Sequence, residues 1–224
     1  MGINDRKIVN ADRKCPEILH PDRIEAESFR IIEKEIGEMG RTVPARYASV
    51  IKRVIHTTAD FSYLDSLYFS ETVIDQAITA LKEGCCVVTD TNMAKAGIHK
   101  SSLEKLGGEV LCYMAEEEVA RSAKERGITR AQVSMEKSAE TGKDYIYVIG
   151  NAPTALLRIV ELAEAGRLCP RFVVGAPVGF VNVVEAKERL MASSIPCIVP
   201  RGRKGGSNVA AAIFNALLYD VAGR

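Results

Sequence analysis

Apolar residues recur at helical spacing in two segments near the start of the chain. Residues 22–39 carry an apolar stripe on which Ser28 takes a place where an aliphatic residue would be expected; the stripe comprises Ile24, Ile31, Ile32, Ile36 and Met39. Residues 45–56 predict a second helix, with Arg53 and His56 three residues apart on one face. We expect this helix to end before Thr57 and Thr58, because threonine side chains compete for backbone hydrogen bonds.

From residue 70 onward, short apolar runs alternate with amphipathic segments. The pattern predicts strands at 86–89, 109–113, 145–149, 172–174 and 197–199, and helices at 71–83, 116–126, 131–141, 153–165, 183–193 and 208–219. Strands separated by helices imply right-handed crossovers. The predicted fold class is α/β, with a mainly parallel sheet, helices on both faces and an N-terminal helical layer. No Pro/Gly/Ser linker divides the chain, so we expect a single domain over 1–224, with N-terminal helices at about 20–60 and an α/β body at about 70–220.

Composition narrows the class of protein. Hydrophobic residues make up 47% of the chain, and 30 basic against 29 acidic residues give a net charge of +1, which argues against a nucleic-acid partner. Neither a long uncharged apolar run nor a secretory leader is visible, so neither a membrane nor secretion is expected. No CxxC pair occurs, which favours reduced, mostly buried thiols in a cytoplasmic protein; the six cysteines are Cys15, Cys85, Cys86, Cys112, Cys169 and Cys197.

Four strand-to-helix junctions carry unusual residues. In an open parallel sheet, ligands sit beyond the carboxyl ends of the strands, where these junctions should meet. Each junction taken alone is ordinary turn chemistry, but together they predict a polar rim. The junctions are Asp90-Thr91-Asn92, Gly150-Asn151-Ala152-Pro153-Thr154, Gly175-Ala176-Pro177-Val178-Gly179-Phe180 and Arg201-Gly202-Arg203-Lys204-Gly205-Gly206-Ser207.

The last junction is the most informative. Arg201, Arg203 and Lys204 lie within four residues, next to two glycines and to Ser207, a candidate N-cap. Guanidinium groups bind carboxylates in bidentate fashion, and a helix N-terminus favours anions. A solvated basic turn is the structural alternative. The spacing matches neither a P-loop nor a GxGxxG fingerprint, so no nucleotide is expected.

Three histidines are present, and none has a partner at metal-ligand spacing, so no protein-held metal is predicted. A lone histidine is usually structural. His56 stands apart because it shares a face with Arg53, and a nearby cation and anionic substrate groups would tune an imidazole toward neutral pH. His99 is typical of a surface helix start, and His20, followed by Pro21, of a loop.

The ordered motifs resemble those of the precorrin-8X / cobalt-precorrin-8 methylmutases over roughly residues 25–220. The resemblance rests on Arg53-Val54-Ile55-His56, Asp90-Thr91-Asn92-Met93, Gly150-Asn151-Ala152-Pro153-Thr154-Ala155, Pro177-Val178-Gly179-Phe180-Val181 and the segment 201–207. It implies an isomerase that moves a methyl group from C-11 to C-12 of an acidic tetrapyrrole, to give cobyrinate or hydrogenobyrinate. It also implies a homodimer with the site near the subunit boundary.

Carried over residue by residue, the resemblance implies His56 as the catalytic proton donor. It implies substrate contacts at Ser28, Arg53 and Arg130, the last in Gly127-Ile128-Thr129-Arg130. The rim adds further candidate substrate-binding residues: Thr91, Asn151, Arg201 and Arg203. No cofactor is expected, because the methyl group stays within one molecule. Any cobalt would belong to the substrate, and a cobalt-containing substrate is slightly favoured.

Two other functions fit the same residues. A non-catalytic carrier would bind a corrinoid without changing its absorption spectrum. An α/β enzyme acting on another anionic metabolite, such as a sugar phosphate, would use the same rim but would not account for the ordered motifs.

Overall fold

In a computed structural model of the protein, residues 20–223 are described, and they form eleven α-helices, one short 3-10 helix (Ala45–Tyr47) and six strands. The helices are α1 (Pro21–Glu38), α2 (Ala48–Thr58), α3 (Tyr63–Ser66), α4 (Val73–Lys82), α5 (Asn92–Gly97), α6 (Lys100–Lys105), α7 (Glu117–Arg126), α8 (Arg130–Glu140), α9 (Pro153–Glu164), α10 (Val183–Ala192) and α11 (Ser207–Ala222). The strands are β1 (Leu67–Phe69), β2 (Val87–Thr89), β3 (Val110–Leu111), β4 (Ile146–Ile149), β5 (Phe172–Gly175) and β6 (Cys197–Pro200).

The strands form one sheet in the order β1-β6-β5-β4-β2-β3. Every neighbouring pair is parallel except β1 and β6, which pair antiparallel with Tyr68 opposite Val199. The predicted mainly parallel sheet is therefore confirmed. β1 has no counterpart among the predicted strands, because three residues are too few to show an alternating pattern.

Helices cover both faces of the sheet, as predicted. Side chains alternate along each strand, so Val148 packs into the core shared with α2, α4 and α11. Its neighbour Tyr147 packs into a second core with α8, α9 and α10. α2 packs along α11, and α1 packs on α2, which gives the N-terminal helical layer.

α2 extends two residues further than we expected. The side-chain hydroxyl of Thr57 donates to the backbone oxygen of Arg53 at 2.9 Å, and that of Thr58 donates to Val54 at 2.8 Å. These bonds reach the preceding turn and are compatible with helical geometry, so the prediction that the threonines end the helix was wrong. The helix ends instead at Ala59, whose φ of 51° is left-handed.

The thiol prediction is only partly confirmed. Cys15 lies outside the described residues, and the other five cysteines are free. Only Cys197, inside β6, is buried; Cys85, Cys86 and Cys112 are half-buried and Cys169 is exposed, because these four flank short elements rather than lie inside them.

None of the helices within residues 20–223 is long and apolar enough to cross a bilayer.

Candidate active site

A buried carboxylate organises the carboxyl edge of the sheet. Asp90, directly after β2, is fully buried and accepts hydrogen bonds from the backbone N–H groups of Gly150 at 2.9 Å, Asn151 at 2.8 Å and Ala152 at 2.6 Å. Burial raises the pKa of the Asp90 carboxyl above its usual value, and the three N–H donors oppose that shift. Asp90 thus fixes the turn between β4 and α9, which carries the predicted site residue Asn151.

The predicted rim forms, and its junctions touch one another. The hydroxyls of Thr91 and Ser207 lie 2.8 Å apart, and the backbone N–H of Gly206 donates to the oxygen of Ala176 at 2.8 Å. Gly150 is pressed against the start of α11, where an added Cβ would stand 2.5 Å from the Ser207 Cα. Only glycine fits at that position, so the close approach of the two junctions depends on it.

Ser207 is not the N-cap of α11, although the sequence made it a candidate. Gly206 is the N-cap of α11, with a φ of 126°, and Ser207 is the first helical residue. Because the Ser207 side chain is directed to Thr91, it joins two junctions instead of capping its own helix.

Residues 201–206, between β6 and α11, form a basic loop at this edge of the sheet. Arg201, Arg203 and Lys204 are all exposed. The guanidinium of Arg203 lies 5.2 Å from the ring centre of Phe180, and that of Arg201 lies 5.2 Å from the ring of Tyr68. Stacking on aromatic rings restricts these side chains while leaving their N–H groups accessible to a ligand.

Large apolar side chains in the rim motifs are also exposed. Met93 is 71% exposed, Phe180 80% and Val181 76%. All three occur in the motifs on which the resemblance rests, but none was among the predicted substrate-binding residues, although Phe180 belongs to a predicted rim junction. For Phe180 and Val181 the sequence did contain a signal, since large apolar residues directly after a turn of proline and glycine have no core to pack into.

His56, Arg53 and Ser28 belong to the helical layer. His56 is exposed in the last turn of α2, with its ring centre 5.3 Å from that of Phe29 on α1. The same Phe29 ring lies 4.8 Å from the Arg53 guanidinium, which also forms an ion pair with Glu25. The Ser28 hydroxyl donates to the backbone oxygen of Ile24 at 2.8 Å, within its own helix. Arg53 and Ser28 are therefore held by groups of this chain.

A polar bridge joins the basic loop to the segment that follows α2. Lys204 Nζ lies 2.5 Å from the Asp60 carboxylate and 2.7 Å from the Ser62 hydroxyl. Hydrogen bonds from Lys204 and Ser62 lower the pKa of Asp60 to about 2, so the carboxylate is charged at neutral pH. Since Asp60 follows α2 by two residues, the bridge ties the end of the His56 helix to the basic loop.

Arg130 lies beside the rim. It begins α8, and its neighbour Thr129 bonds Thr154 of α9 through their hydroxyls at 2.9 Å. Thr154 is three residues after Asn151. The structure thus gathers Thr91, Asn151, Arg201 and Arg203 at one edge, with Arg130 alongside. Asp60 links the end of α2, the helix of Arg53 and His56, to that edge, and Ser28 lies on α1, which packs on α2.

Within residues 20–223, no group of three histidine, cysteine, aspartate or glutamate side chains has the geometry of a metal site. The polar groups of the rim include backbone amides, hydroxyls, basic side chains and the buried Asp90 carboxylate.

Four junctions meeting at the carboxyl edge of an open, mainly parallel sheet define an α/β protein of the class that holds small ligands beyond its strand ends. Residues 23–220 match the precorrin-8X methylmutase family, and the chain belongs to that family. It is an isomerase of the methylmutase class that functions in cobalamin biosynthesis.

Individual relatives agree with this assignment. The chain is 47% identical over 210 residues to a cobalt-precorrin-8 methylmutase of Salmonella typhimurium, covering 91% of this chain and 97% of the relative. It is 38% identical to a precorrin-8X methylmutase of Pseudomonas aeruginosa, and the match covers 87% of this chain and 93% of the relative. A solved structure of precorrin-8x methyl mutase from Thermus thermophilus superposes with a TM-score of 0.83 at 38% identity. The superposition covers 90% of this chain and 97% of that structure's chain.

Proposed function

We propose that this chain moves the methyl group of a precorrin-8 macrocycle from C-11 to C-12, with His56 as the proton donor. The observation that carries the proposal is the pairing of exposed guanidinium groups with exposed apolar side chains at one sheet edge. Arg203 and Phe180 lie together there, with Met93 among the neighbouring rim motifs. A tetrapyrrole polycarboxylate has an apolar ring body and peripheral carboxylates, so it matches both features.

In the proposed reaction, His56 donates a proton to a ring nitrogen of the bound macrocycle. The electron-poor π-system then allows the bond from C-11 to the methyl group to break as the bond to C-12 forms. The ring afterwards returns a proton, so substrate and product are isomers and the imidazole is restored. Positioned acid catalysis of this kind contributes a factor of about 10²–10⁴ in rate. The proposed reaction needs no cofactor, since the methyl group never leaves the molecule.

We favour a cobalt-containing substrate. The relative at 47% identity is named for cobalt-precorrin-8, whereas the Pseudomonas aeruginosa relative at 38% identity is named for precorrin-8X. Any cobalt would be part of the substrate. A cytoplasmic location is consistent with the free thiols within the described residues.

An absorbance time course with cobalt-containing and metal-free precorrin-8, run side by side, tests the proposal. We expect both spectra to shift to that of the corrin product, and the cobalt-containing substrate to react faster. Binding without a spectral change would identify a carrier, and absence of binding would indicate an enzyme for a different anion. A faster reaction with the metal-free substrate would overturn the cobalt preference alone.

We also propose a homodimer, in which a second copy covers the outer face of α1. Ile24 and Ile31 lie seven residues apart on that helix and are 51% and 43% exposed. Two large aliphatic side chains on one helical face form an apolar strip of the kind that marks protein interfaces. Light scattering after size exclusion should give twice the 24.4 kDa chain mass. A monomer mass at micromolar concentration would contradict the dimer.

A further inference from the structure

Lys187 is the one fully buried lysine among residues 20–223. It projects from α10, is 1% exposed, and has no carboxylate partner within the described part of the chain. Its Nζ donates instead to two backbone oxygens of the basic loop, that of Gly202 at 2.8 Å and that of Lys204 at 2.7 Å. Burial lowers the pKa of Lys187 to about 8. A buried ammonium is costly, so its place beneath this loop calls for an explanation.

The two hydrogen bonds determine how the loop's peptide groups are oriented. In a trans peptide, the C=O of one residue and the N–H of the next point in opposite directions. When Lys187 holds the oxygens of Gly202 and Lys204, the N–H groups of Arg203 and Gly205 point away from α10. Neither N–H group has a backbone acceptor within residues 20–223.

We infer that Lys187 is a positioning residue that turns the amide groups of the basic loop outward, to bind a carboxylate of the substrate. Other contacts hold the ends of the loop. The N–H of Arg201 donates to Ser66 at 2.7 Å, that of Gly206 donates to Ala176 at 2.8 Å, and the oxygen of Arg203 accepts from Gly179 at 3.2 Å. The backbone oxygens of Gly202 and Lys204, on either side of Arg203, are held by Lys187. The unneutralised ammonium also adds positive potential behind the outward amides.

This inference rests on the proposed function, since it assigns a substrate carboxylate to the loop. Substituting Lys187→Met removes both hydrogen bonds and the charge while keeping the length of the side chain. Methionine fills the same space but leaves the backbone oxygens of Gly202 and Lys204 without this donor, so a second variant is needed in case the first does not fold. Lys105→Met, at an exposed position on α6, is the matched control.

The experiment measures binding of the corrin polycarboxylate product by absorbance titration, turnover at saturating substrate, and hydrogen exchange of the amides at Gly179, Arg201 and Gly206. For Lys187→Met we expect Kd and KM to rise about tenfold or more, as for loss of charge-assisted hydrogen bonds. Turnover at saturation should change less than about threefold, since the acid is untouched. Exchange of the three amides should accelerate, whereas Lys105→Met should match the unsubstituted protein in every measurement.

Unchanged affinity, or unchanged exchange, in folded Lys187→Met would overturn the inference. If that variant does not fold, Lys187→Gln, which keeps a neutral donor, should show the same loss of affinity in smaller measure, and unchanged affinity there would equally overturn it. If the unsubstituted protein itself fails to bind the corrin, the proposed function fails. The exchange measurement then still decides whether Lys187 fixes the loop.

Discussion

Replacing His56 by asparagine is expected to lower the turnover number by about 10²–10⁴-fold, the usual contribution of a positioned general acid. Asparagine keeps a polar side chain in the last turn of α2 but cannot deliver a proton. Because His56 is exposed, we expect the free energy of unfolding to change by less than about 0.5 kcal/mol. Steady-state turnover by absorbance, together with urea unfolding, measures the two effects.

The control is the same substitution at His20, an exposed residue outside the segment matched to the family. Asparagine is itself a good N-cap, so α1 should not be weakened. His20→Asn should retain full turnover. Binding of the corrin product to His56→Asn should stay within a few fold of normal, since the basic loop is unchanged. A variant at His56 that keeps most of its activity would remove the proposed acid from the mechanism.

Replacing Asp90 by asparagine is expected to lower the free energy of unfolding by about 2–4 kcal/mol, because buried N–H groups lose a charged acceptor. One Asp90 oxygen accepts from Gly150 and the other from both Asn151 and Ala152. An amide has one oxygen, so its NH₂ group must face a backbone N–H. The turn bearing Asn151 should shift, and turnover per folded molecule should fall about tenfold or more, as expected when site residues are displaced.

Urea unfolding and turnover at low temperature, where the variant remains folded, separate the two losses. Asp144→Asn is the matched control, because Asp144 is exposed at the turn before β4. It should unfold and turn over like the unsubstituted chain. Equal stability of Asp90→Asn and Asp144→Asn would show that the three hydrogen bonds do not organise the edge.

The two substitutions act on different parts of one proposed mechanism. His56→Asn removes the acid and leaves the rim intact, whereas Asp90→Asn disturbs the rim and leaves the acid in place. Lys187→Met is expected to weaken binding of the corrin while leaving turnover at saturating substrate nearly unchanged. Three distinct patterns of turnover, affinity and stability are therefore expected from three residues.

The chain's sequence indicated the site mainly through the ends of its strands. Apolar runs such as 145–149 fixed the strand positions, and the parallel arrangement then required Asp90, Asn151 and the segment 201–207 to share an edge. The sequence could not reveal that Asp90 accepts three N–H bonds, since its partners lie 60 to 62 residues away. Lys187 was missed because an isolated lysine in a helix is normally on the surface.

Local periodicity and turn chemistry determined the fold class, the order of the elements and the residues at the carboxyl edge, because these depend on neighbours within a few positions. Tertiary structure alone decided that Ser207 bonds Thr91, that Asp60 joins the His56 helix to Lys204, and that Lys187 lies beneath the basic loop. Each of these contacts joins residues distant in sequence or contradicts the usual preference of its residue type. Such contacts arise only when packing brings the chain segments together, which no local pattern encodes.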